Sequence, residues 1–262
     1  MQVYLISSTS ISAERFEFQK TQLASLGLKF DLIDAVVPAS LSIPLSDHYW
    51  LRWQRPLRDV ECAILQSHQH AWRHISESSQ PAMVIEDDVL LAKHVAAFLE
   101  SVSQGLDARI IILETRGRKK LLSRSSENLS SLRLLHQNRS GAAAYILWPT
   151  AARELLEMTA KRGILADAAL CRLKGYGVYQ AKPPLALQAD CCFRYDLIPP
   201  IPLKSSVLSV AKPNKKQYSL LLRLRWATIR AFAQISMART FILHGANSEY
   251  VELRPQDSDF ED

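Results

Sequence analysis

Val3-Tyr4-Leu5-Ile6 begins the stretch of sequence that decides the fold class. This short, β-rich apolar run is followed by turn-forming residues. A helical pattern over Ala13–Ser25 comes next, and Gly27 would cap that helix at its carboxyl end. Lys29-Phe30-Asp31-Leu32-Ile33 then alternates between polar and apolar residues like a second strand. A strand, a helix and a second strand in this order predict an α/β domain with a parallel sheet.

Three uninterrupted apolar runs predict strands at the centre of this sheet. The runs cover residues 82–85, 110–113 and 142–147. A strand that is buried on both faces needs no polar alternation, so continuous apolar residues are expected there. Helices are predicted over residues 59–76, with Asp59 as the N-cap, and over residues 150–161, with Thr150 as the N-cap.

The composition excludes disordered and fibrous proteins. Of the 262 residues, 48% are hydrophobic and 22% are charged, which is ordinary for a globular protein. Neither of the common glycine-rich phosphate-binding motifs occurs in the sequence. The four cysteines form no CxxC pair and are interpreted as free thiols in a reducing compartment. No secretory signal and no uncharged apolar run of about 18 residues is recognisable, so we expect a cytoplasmic location.

The excess of positive charge lies in one segment near the carboxyl end. The net charge of the whole chain is +6. Seven basic residues and no acidic residue lie between positions 212 and 239, namely Lys212, Lys215, Lys216, Arg223, Arg225, Arg230 and Arg239. The rest of the chain is therefore close to neutral. Because no basic surface covers the fold, we expect no nucleic-acid partner.

Three carboxylates, Glu86-Asp87-Asp88, directly follow the apolar run at residues 82–85. Ligands of α/β sheets bind at the carboxyl ends of the strands. Side chains alternate along a strand, so Glu86 and Asp88 are expected on one side and Asp87 on the other. Carboxylate oxygens suit Mg²⁺ or Mn²⁺, and these ions usually also hold the phosphates of a substrate. The alternative is a solvated acidic loop after a strand.

Several short motifs, in order, resemble glycosyltransferase family 25. The first group combines Leu57, Glu61, Ser67-His68 and Trp72 with the later run Ile85-Glu86-Asp87-Asp88-Val89. The second group is Arg15 after the first strand, the run at residues 30–36, the run at residues 141–147 and Leu165-Ala166-Asp167. The resemblance extends from Val3 to about Asp190. It implies a GT-A-like fold, a mixed α/β sheet that binds a nucleotide sugar, as in lipooligosaccharide and collagen galactosyltransferases.

The sequence departs from the family pattern in three places. Ile64 stands where the family often has cysteine, and Leu165-Ala166 replaces a proline and an aliphatic residue. The Gln188-Ala189-Asp190 region is less polar than the resemblance leads one to expect, which leaves a third metal ligand open.

The resemblance implies a hexosyltransferase with an inverting mechanism. The expected reaction moves a hexose, with UDP-galactose as the expected donor, onto a lipooligosaccharide or lipopolysaccharide core saccharide. Glu86 and Asp88 are the candidate ligands of Mn²⁺ or Mg²⁺, which would neutralise the diphosphate leaving group. Asp167 is the first candidate for the general base and Asp190 the second. An ordinary helix cap or surface acid is the alternative for each of these two aspartates.

Five further residues are candidates for binding the nucleotide sugar. They are Ser7, Arg15, Ser67, His68 and Asp87. Asp87 would orient the ribose or the sugar, Arg15 would meet a phosphate or the uracil, and His68 would touch the nucleotide. A surface arginine and a packed histidine are the alternatives. A basic loop after the second central run would either meet a phosphorylated acceptor or be solvated; it contains Arg116, Arg118, Lys119, Lys120 and Arg124.

The chain is expected to divide near residue 200. Residues 1–200 would form the GT-A-like catalytic domain, and residues 201–262 a basic helical extension, with its helix over residues 217–243, and a frayed acidic tail from Glu249. Basic and apolar residues on one helix suit an anionic membrane surface, where a lipid-linked oligosaccharide acceptor would be displayed, on the inner membrane face. A helix packed on the catalytic domain is the alternative. A non-catalytic sugar- or membrane-binding protein that retains the fold is the alternative function.

Overall fold

The predicted β–α–β unit opens the structure. The computed structural model describes residues 1–103, 105–125, 129–201, 213–214 and 217–260. Strand β1 (Gln2–Ser7), helix α1 (Ala13–Ser25) and strand β2 (Asp31–Asp34) follow one another, and β1 pairs with β2 in parallel. Gly27 ends the helix with a φ of 67°, a left-handed conformation that glycine adopts without steric cost.

A mixed sheet forms the centre of the fold. The further strands are β3 (Ala82–Glu86), β4 (Val89–Leu91), β5 (Ile110–Ile112), β6 (Glu114–Thr115), β7 (Lys120–Ser123), β8 (Leu132–Gln137), β9 (Ala144–Leu147), β10 (Val178–Ala181), β11 (Ala186–Gln188) and β12 (Ser248–Val251). Within the described residues, nine strands pair in the order β12-β7-β8-β10-β5-β9-β3-β1-β2, and β4-β11-β6 form a small second sheet. β3 pairs with β1 in parallel and with β9 antiparallel.

Helices cover both faces of the sheet. They are α2 (Asp59–Glu77), α3 (Val95–Ser103), α4 (Pro149–Ala160), α5 (Ala166–Leu170) and α6 (Leu220–His244). Val84 packs into the apolar cluster that contains residues of α2, α4 and α5, whereas Met83 and Ile85 pack into the cluster with α1 and α3. This alternation explains why the run is apolar throughout. The predicted mixed α/β sheet flanked by helices is confirmed, whereas the expectation of a parallel sheet is wrong for the sheet as a whole, because β9 runs antiparallel to both β3 and β5.

Two predicted helix caps are wrong. α2 is capped by Arg58 rather than Asp59, because the carboxylate of Glu61 reaches back and accepts the Arg58 backbone N–H at 2.8 Å. Trp148, rather than Thr150, is the N-cap of α4, and Pro149 takes the first helical position. Proline suits that position because its φ is already helical and its missing N–H is not needed there.

Two of the described segments beyond residue 201, α6 and β12, pack against the rest of the protein. The indole Nε1 of Trp226 in α6 donates to the Leu51 carbonyl at 2.8 Å, and Arg230 Nη1 donates to the Gln54 carbonyl at 2.8 Å. The expectation of a frayed tail is wrong for its first residues, because β12 pairs antiparallel with β7. β12 thereby covers backbone groups that β7 would otherwise leave unpaired at the sheet edge. The division near residue 200 stays a prediction.

Part of the basic segment lies outside the described residues, namely Lys212, Lys215 and Lys216. Its four arginines lie in α6. Among the described helices, none combines the length and the apolar character needed to cross a membrane.

Candidate active site

A cleft of about 1190 Å³ opens at the carboxyl ends of β1 and β3. Eight of the nine predicted site residues line it: Arg15, Ser67, His68, Glu86, Asp87, Asp88, Asp167 and Asp190. Strand pairing explains the convergence, because Ile6 lies opposite Glu86 in register and the Glu86 N–H donates to the Ala143 carbonyl at 2.8 Å. The ninth, Ser7, is buried at the end of β1.

Asp87 points toward α1 rather than toward the other two carboxylates. Ser7 Oγ donates to Asp87 Oδ2 at 3.0 Å, and Arg15 Nη1 lies 3.4 Å from Oδ1. Gln19 Nε2 holds the backbone that follows Asp87, because it donates to the Val89 carbonyl at 2.6 Å. Burial raises the pKa of Asp87, the Arg15 charge and the Ser7 hydrogen bond oppose the rise, and the net direction is upward. Ser7 and Arg15 therefore hold Asp87 in a fixed orientation.

Glu86 stands at the end of a chain of buried hydrogen bonds. Trp72 Nε1 donates to Tyr145 Oη at 2.8 Å, Tyr145 Oη lies 2.9 Å from His68 Nδ1, and His68 Nε2 lies 3.0 Å from Glu86 Oε1. A tyrosine hydroxyl has one proton. Since its oxygen accepts from Trp72, that proton is free to be donated to His68 Nδ1. With Nδ1 as the acceptor, the ring proton of His68 lies on Nε2, the nitrogen that faces Glu86 Oε1.

Asp88 and Glu86 share the amide of Gln188. Gln188 Nε2 lies 3.1 Å and 3.3 Å from the two carboxylate oxygens of Asp88 and 3.4 Å from Glu86 Oε2. Burial and the neighbouring charge of Glu86 raise the pKa of Asp88 to about 7. The amide oxygen of Gln188 is buried and has no hydrogen-bond partner among the described residues. Within the same residues, no three side chains of His, Cys, Asp or Glu converge as a metal site would require.

The two candidate bases have different surroundings. Asp167 lies in the first turn of α5, and burial raises its pKa. The backbone N–H of Ala168 and the charge of Arg116 lower this pKa, Glu86 and Glu61 raise it, and the net direction is upward. Asp190 instead forms an ion pair with Arg116, whose Nη2 lies 2.7 Å from Asp190 Oδ2.

The basic loop is not a uniformly solvated run. Arg116 lines the cleft, and Lys120 is almost fully buried, where its Nζ donates to the Glu114 carbonyl at 3.1 Å and to Gln180. Lys119 instead lies over the ring of Tyr250, with 5.7 Å between Nζ and the ring centroid. The solvated interpretation is therefore wrong for Lys120.

Ser67 uses its hydroxyl within the protein. Its Oγ accepts from the Val36 N–H at 2.9 Å and donates to the Ala63 carbonyl at 2.9 Å. These bonds hold the segment after β2 against α2 at the side of the cleft. A contact of Ser67 with a bound nucleotide stays a prediction, as do the donor contacts of the other residues.

Sequence reasoning missed four residues that organise the site: Gln19, Glu114, Tyr145 and Gln188. Glu114 is buried behind the floor of the cleft, and its Oε1 accepts the Ala143 N–H at 2.6 Å. Burial raises the pKa of Glu114 to about 7, against the opposing charge of Lys120. A usable signal existed for two of the four. Gln19 interrupts the apolar stripe of α1, and Gln188 is the polar end of an apolar strand.

Comparisons with known proteins identify one family. Residues 1–170 match the family described as glycosyltransferase family 25 (LPS biosynthesis protein). No curated protein matches the sequence significantly.

Three solved structures are similar at 10–11% sequence identity. UDP-glucose pyrophosphorylase complexed with UDP-glucose has a TM-score of 0.37, with 69% of this chain and 89% of that chain covered. The galactosyltransferase LgtC in complex with donor and acceptor sugar analogs has a TM-score of 0.41, with 69% and 73% covered. The inositol-1-phosphate CTP transferase from T. maritima has a TM-score of 0.41, with 87% and 96% covered.

Proposed function

Because the chain belongs to glycosyltransferase family 25, we propose that it transfers a hexose from a nucleotide sugar to a core saccharide of lipopolysaccharide or lipooligosaccharide. The observation that carries the proposal is the convergence of Glu86, Asp88, Asp167 and Asp190 on one cleft. A cleft of about 1190 Å³ is large enough for a nucleotide sugar and part of an acceptor. The proposed donor is UDP-galactose, and the proposed mechanism inverts the anomeric configuration.

The first turn of α1 is the proposed place for the diphosphate. Backbone N–H groups and the dipole at a helix N-terminus favour an anion, and Arg15 adds a positive charge there. The guanidinium of Arg15 is held close to Asp87. Asp87 would then orient the ribose or the sugar through hydrogen bonds that its carboxylate accepts.

The residues at the end of β3 fit a divalent cation, Mn²⁺ or Mg²⁺. Glu86 and Asp88 offer carboxylate oxygens, and the buried amide oxygen of Gln188 has no hydrogen-bond partner among the described residues. Such a cation, when bound, supplies Lewis-acid neutralisation of the diphosphate leaving group. His68 engages Glu86 Oε1 and so leaves Oε2 directed to the Gln188 side.

Asp167 is the proposed general base, which takes the proton of the acceptor hydroxyl. Its raised pKa makes the deprotonated carboxylate a stronger base than an ordinary aspartate. Asp190 is the second candidate. Its carboxylate accepts a hydrogen bond from Arg116 at 2.7 Å, which favours a role in orienting that arginine.

The outward face of α6 is the proposed contact with an anionic membrane, on the inner membrane face. Leu220, Leu224, Ile235 and Ile242 lie at helical spacing on the side opposite the buried Trp226, and all four are exposed. The helix is about 37 Å long and contains four arginines and no acidic residue. Arg230 faces the protein, whereas Arg223, Arg225 and Arg239 are exposed and complement anionic lipid.

Substitutions rather than truncation test the membrane proposal, because truncation would also remove Trp226 and β12. Leu224→Glu with Ile235→Glu should abolish sedimentation with anionic vesicles, and added salt should weaken binding of the unmodified chain. Thr228→Glu with Gln234→Glu introduces the same charge without removing a large apolar side chain, and it should weaken binding less. Concentration-dependent dimerisation of the unmodified chain without any vesicle binding would instead assign this face to a second copy.

The catalytic proposal is tested with a panel of nucleotide sugars and a short core saccharide acceptor. We expect release of UDP and a product of inverted configuration, seen by NMR. Asp167→Asn should lose turnover, and Asp107→Asn, an exposed acid outside the cleft, should not. Binding of a sugar nucleotide without turnover across the panel would overturn the proposal in favour of a non-catalytic binding protein that retains the fold.

A further inference from the structure

We propose that Gln188 is the third protein ligand of the divalent cation, through its side-chain amide oxygen, and that its amide nitrogen holds Glu86 and Asp88 together when no cation is bound. This inference rests on the cation site of the proposed function. A neutral amide would complete the site, because no three His, Cys, Asp or Glu side chains of the described residues are grouped so that they could hold a metal ion.

The arrangement of the Gln188 amide satisfies only half of its hydrogen-bonding capacity. Its nitrogen lies within 3.4 Å of oxygens on both Asp88 and Glu86, while its oxygen is buried without a hydrogen-bond partner in the described part of the chain. Leaving a buried polar atom unsatisfied costs about 1–3 kcal/mol. Folding alone gives no reason to keep such an atom beside two carboxylates.

A half-turn of the carboxamide exchanges its nitrogen and oxygen without any backbone movement. The two atoms have nearly the same size and position, so the exchange is sterically neutral. With a cation between the carboxylates, an N–H group that points at them would face positive charge. The amide oxygen in the same place would instead point its partial negative charge at the cation. Amide carbonyls are ordinary ligands of hard divalent cations.

The backbone of Gln188 is fixed at the required place. In the antiparallel pair of β11 and β4, Gln188 lies opposite Val89, and the Ala189 N–H donates to the Asp88 carbonyl at 2.8 Å. Only 5% of Gln188 is exposed. Asp87 cannot take this role, because Ser7 and Arg15 hold its carboxylate on the other side.

The experiment measures Mn²⁺ binding by the full chain, using electron paramagnetic resonance of free Mn²⁺ in the presence of UDP and Mn²⁺-dependent thermal unfolding. Gln188→Leu should lower Mn²⁺ affinity at least ~10-fold. Gln188→Glu should retain Mn²⁺ affinity or increase it. Its melting temperature without metal should fall, because a third carboxylate replaces the bridging amide, and its Mn²⁺-induced rise should exceed that of the unmodified chain.

Two further variants keep the test decisive. Gln69→Leu removes another buried amide, which lies outside the cleft and donates to Thr159 Oγ1 at 3.0 Å, and it should leave Mn²⁺ affinity unchanged. Should Gln188→Leu not fold, Gln188→Asn retains an amide that is one methylene too short and should lose affinity in the same way.

The outcomes separate the two proposals. Normal Mn²⁺ affinity in Gln188→Leu, together with loss of affinity in Asp88→Asn, would overturn the role of Gln188 and leave the cation site standing. Absence of Mn²⁺ binding by the unmodified chain would overturn both the cation site and the role of Gln188. If that same chain still transferred sugar, the proposed enzymatic function would stand without the cation site and without the role of Gln188.

Discussion

The substitution Tyr145→Phe tests whether the buried chain of hydrogen bonds positions Glu86. The Tyr145 hydroxyl accepts from Trp72 Nε1 at 2.8 Å and lies 2.9 Å from His68 Nδ1, to which it has a proton to donate. Its removal leaves a buried indole N–H and a buried imidazole nitrogen without partners. The proton position on His68 is then no longer fixed, so His68 no longer holds Glu86 Oε1 in one orientation.

The expected loss of stability follows from the two groups that lose their partners. All three ring residues are almost fully buried, so water cannot replace the lost hydroxyl. Each unsatisfied buried group costs about 1–3 kcal/mol, so the free energy of unfolding should fall by about 2–6 kcal/mol. Removing a group that orients a metal-binding residue through a hydrogen bond typically lowers metal affinity or activity by ~10–100-fold. We therefore expect kcat to fall by at least ~10-fold.

The assay combines urea unfolding with steady-state sugar transfer. Tyr49→Phe is the matched control, because that buried hydroxyl donates to the Thr159 carbonyl at 2.7 Å and lies outside the cleft. It should lose stability but not kcat. In a Trp72→Phe background, Tyr145→Phe should cost about 1–3 kcal/mol less, since one of the two orphaned groups is already absent. Strict additivity of the two substitutions, or an equal kcat for Tyr145→Phe and Tyr49→Phe, would refute the reasoning.

Three further predictions concern the carboxylates that line the cleft. Burial opposes ionisation of Glu61, but hydrogen bonds from Arg55 and from the Arg58 backbone N–H outweigh it and lower the pKa. Glu61→Gln should therefore cost about 1–3 kcal/mol in urea unfolding at pH 7. The difference in unfolding free energy between this variant and the unmodified chain should disappear as the pH falls below about 4.5 and through the folded-state pKa of Glu61. A difference that does not change with pH would contradict this explanation. Asp167→Asn should lower kcat by ~100-fold or more with donor affinity unchanged. In the pH profile of kcat, the acid limb of the unmodified enzyme should lie above the ordinary pKa of an aspartate, because burial raises the pKa of Asp167. If only Asp190→Asn lowers kcat in this way, Asp190 is the general base instead. Asp88→Asn should raise the melting temperature without metal, because it relieves the repulsion from Glu86, while Mn²⁺ binding is lost; a lower melting temperature would refute that explanation.

Local patterns predicted most of the elements that build the site. α1 begins and ends where the pattern over Ala13–Ser25 predicts, and the strand at residues 82–85 extends by one residue into the acidic triplet. Both signals are local, because apolar periodicity and a terminal glycine act within a few residues. The family that the motifs indicated is confirmed by the match over residues 1–170.

Alternation along one strand also predicted the separation of the three carboxylates. Asp87 contacts Ser7 and Arg15, whereas Glu86 and Asp88 share Gln188. The sequence could not predict these partners by name. Asp87 meets Ser7 from 80 positions away, and Asp88 meets Gln188 from 100 positions away.

Tertiary structure alone decided which distant polar groups meet. Gln188 reaches Asp88 because β11 pairs with β4 in one register, and a slip of one residue would turn its side chain to the other face. Tyr145 reaches His68 because β9 lies next to β3 under α2, and β12 joins the sheet because β7 offers an unpaired edge. Apolar spacing along the chain specifies which face of an element is buried. The partner of a buried polar atom is instead set by strand register and helix packing, which depend on the whole folded chain.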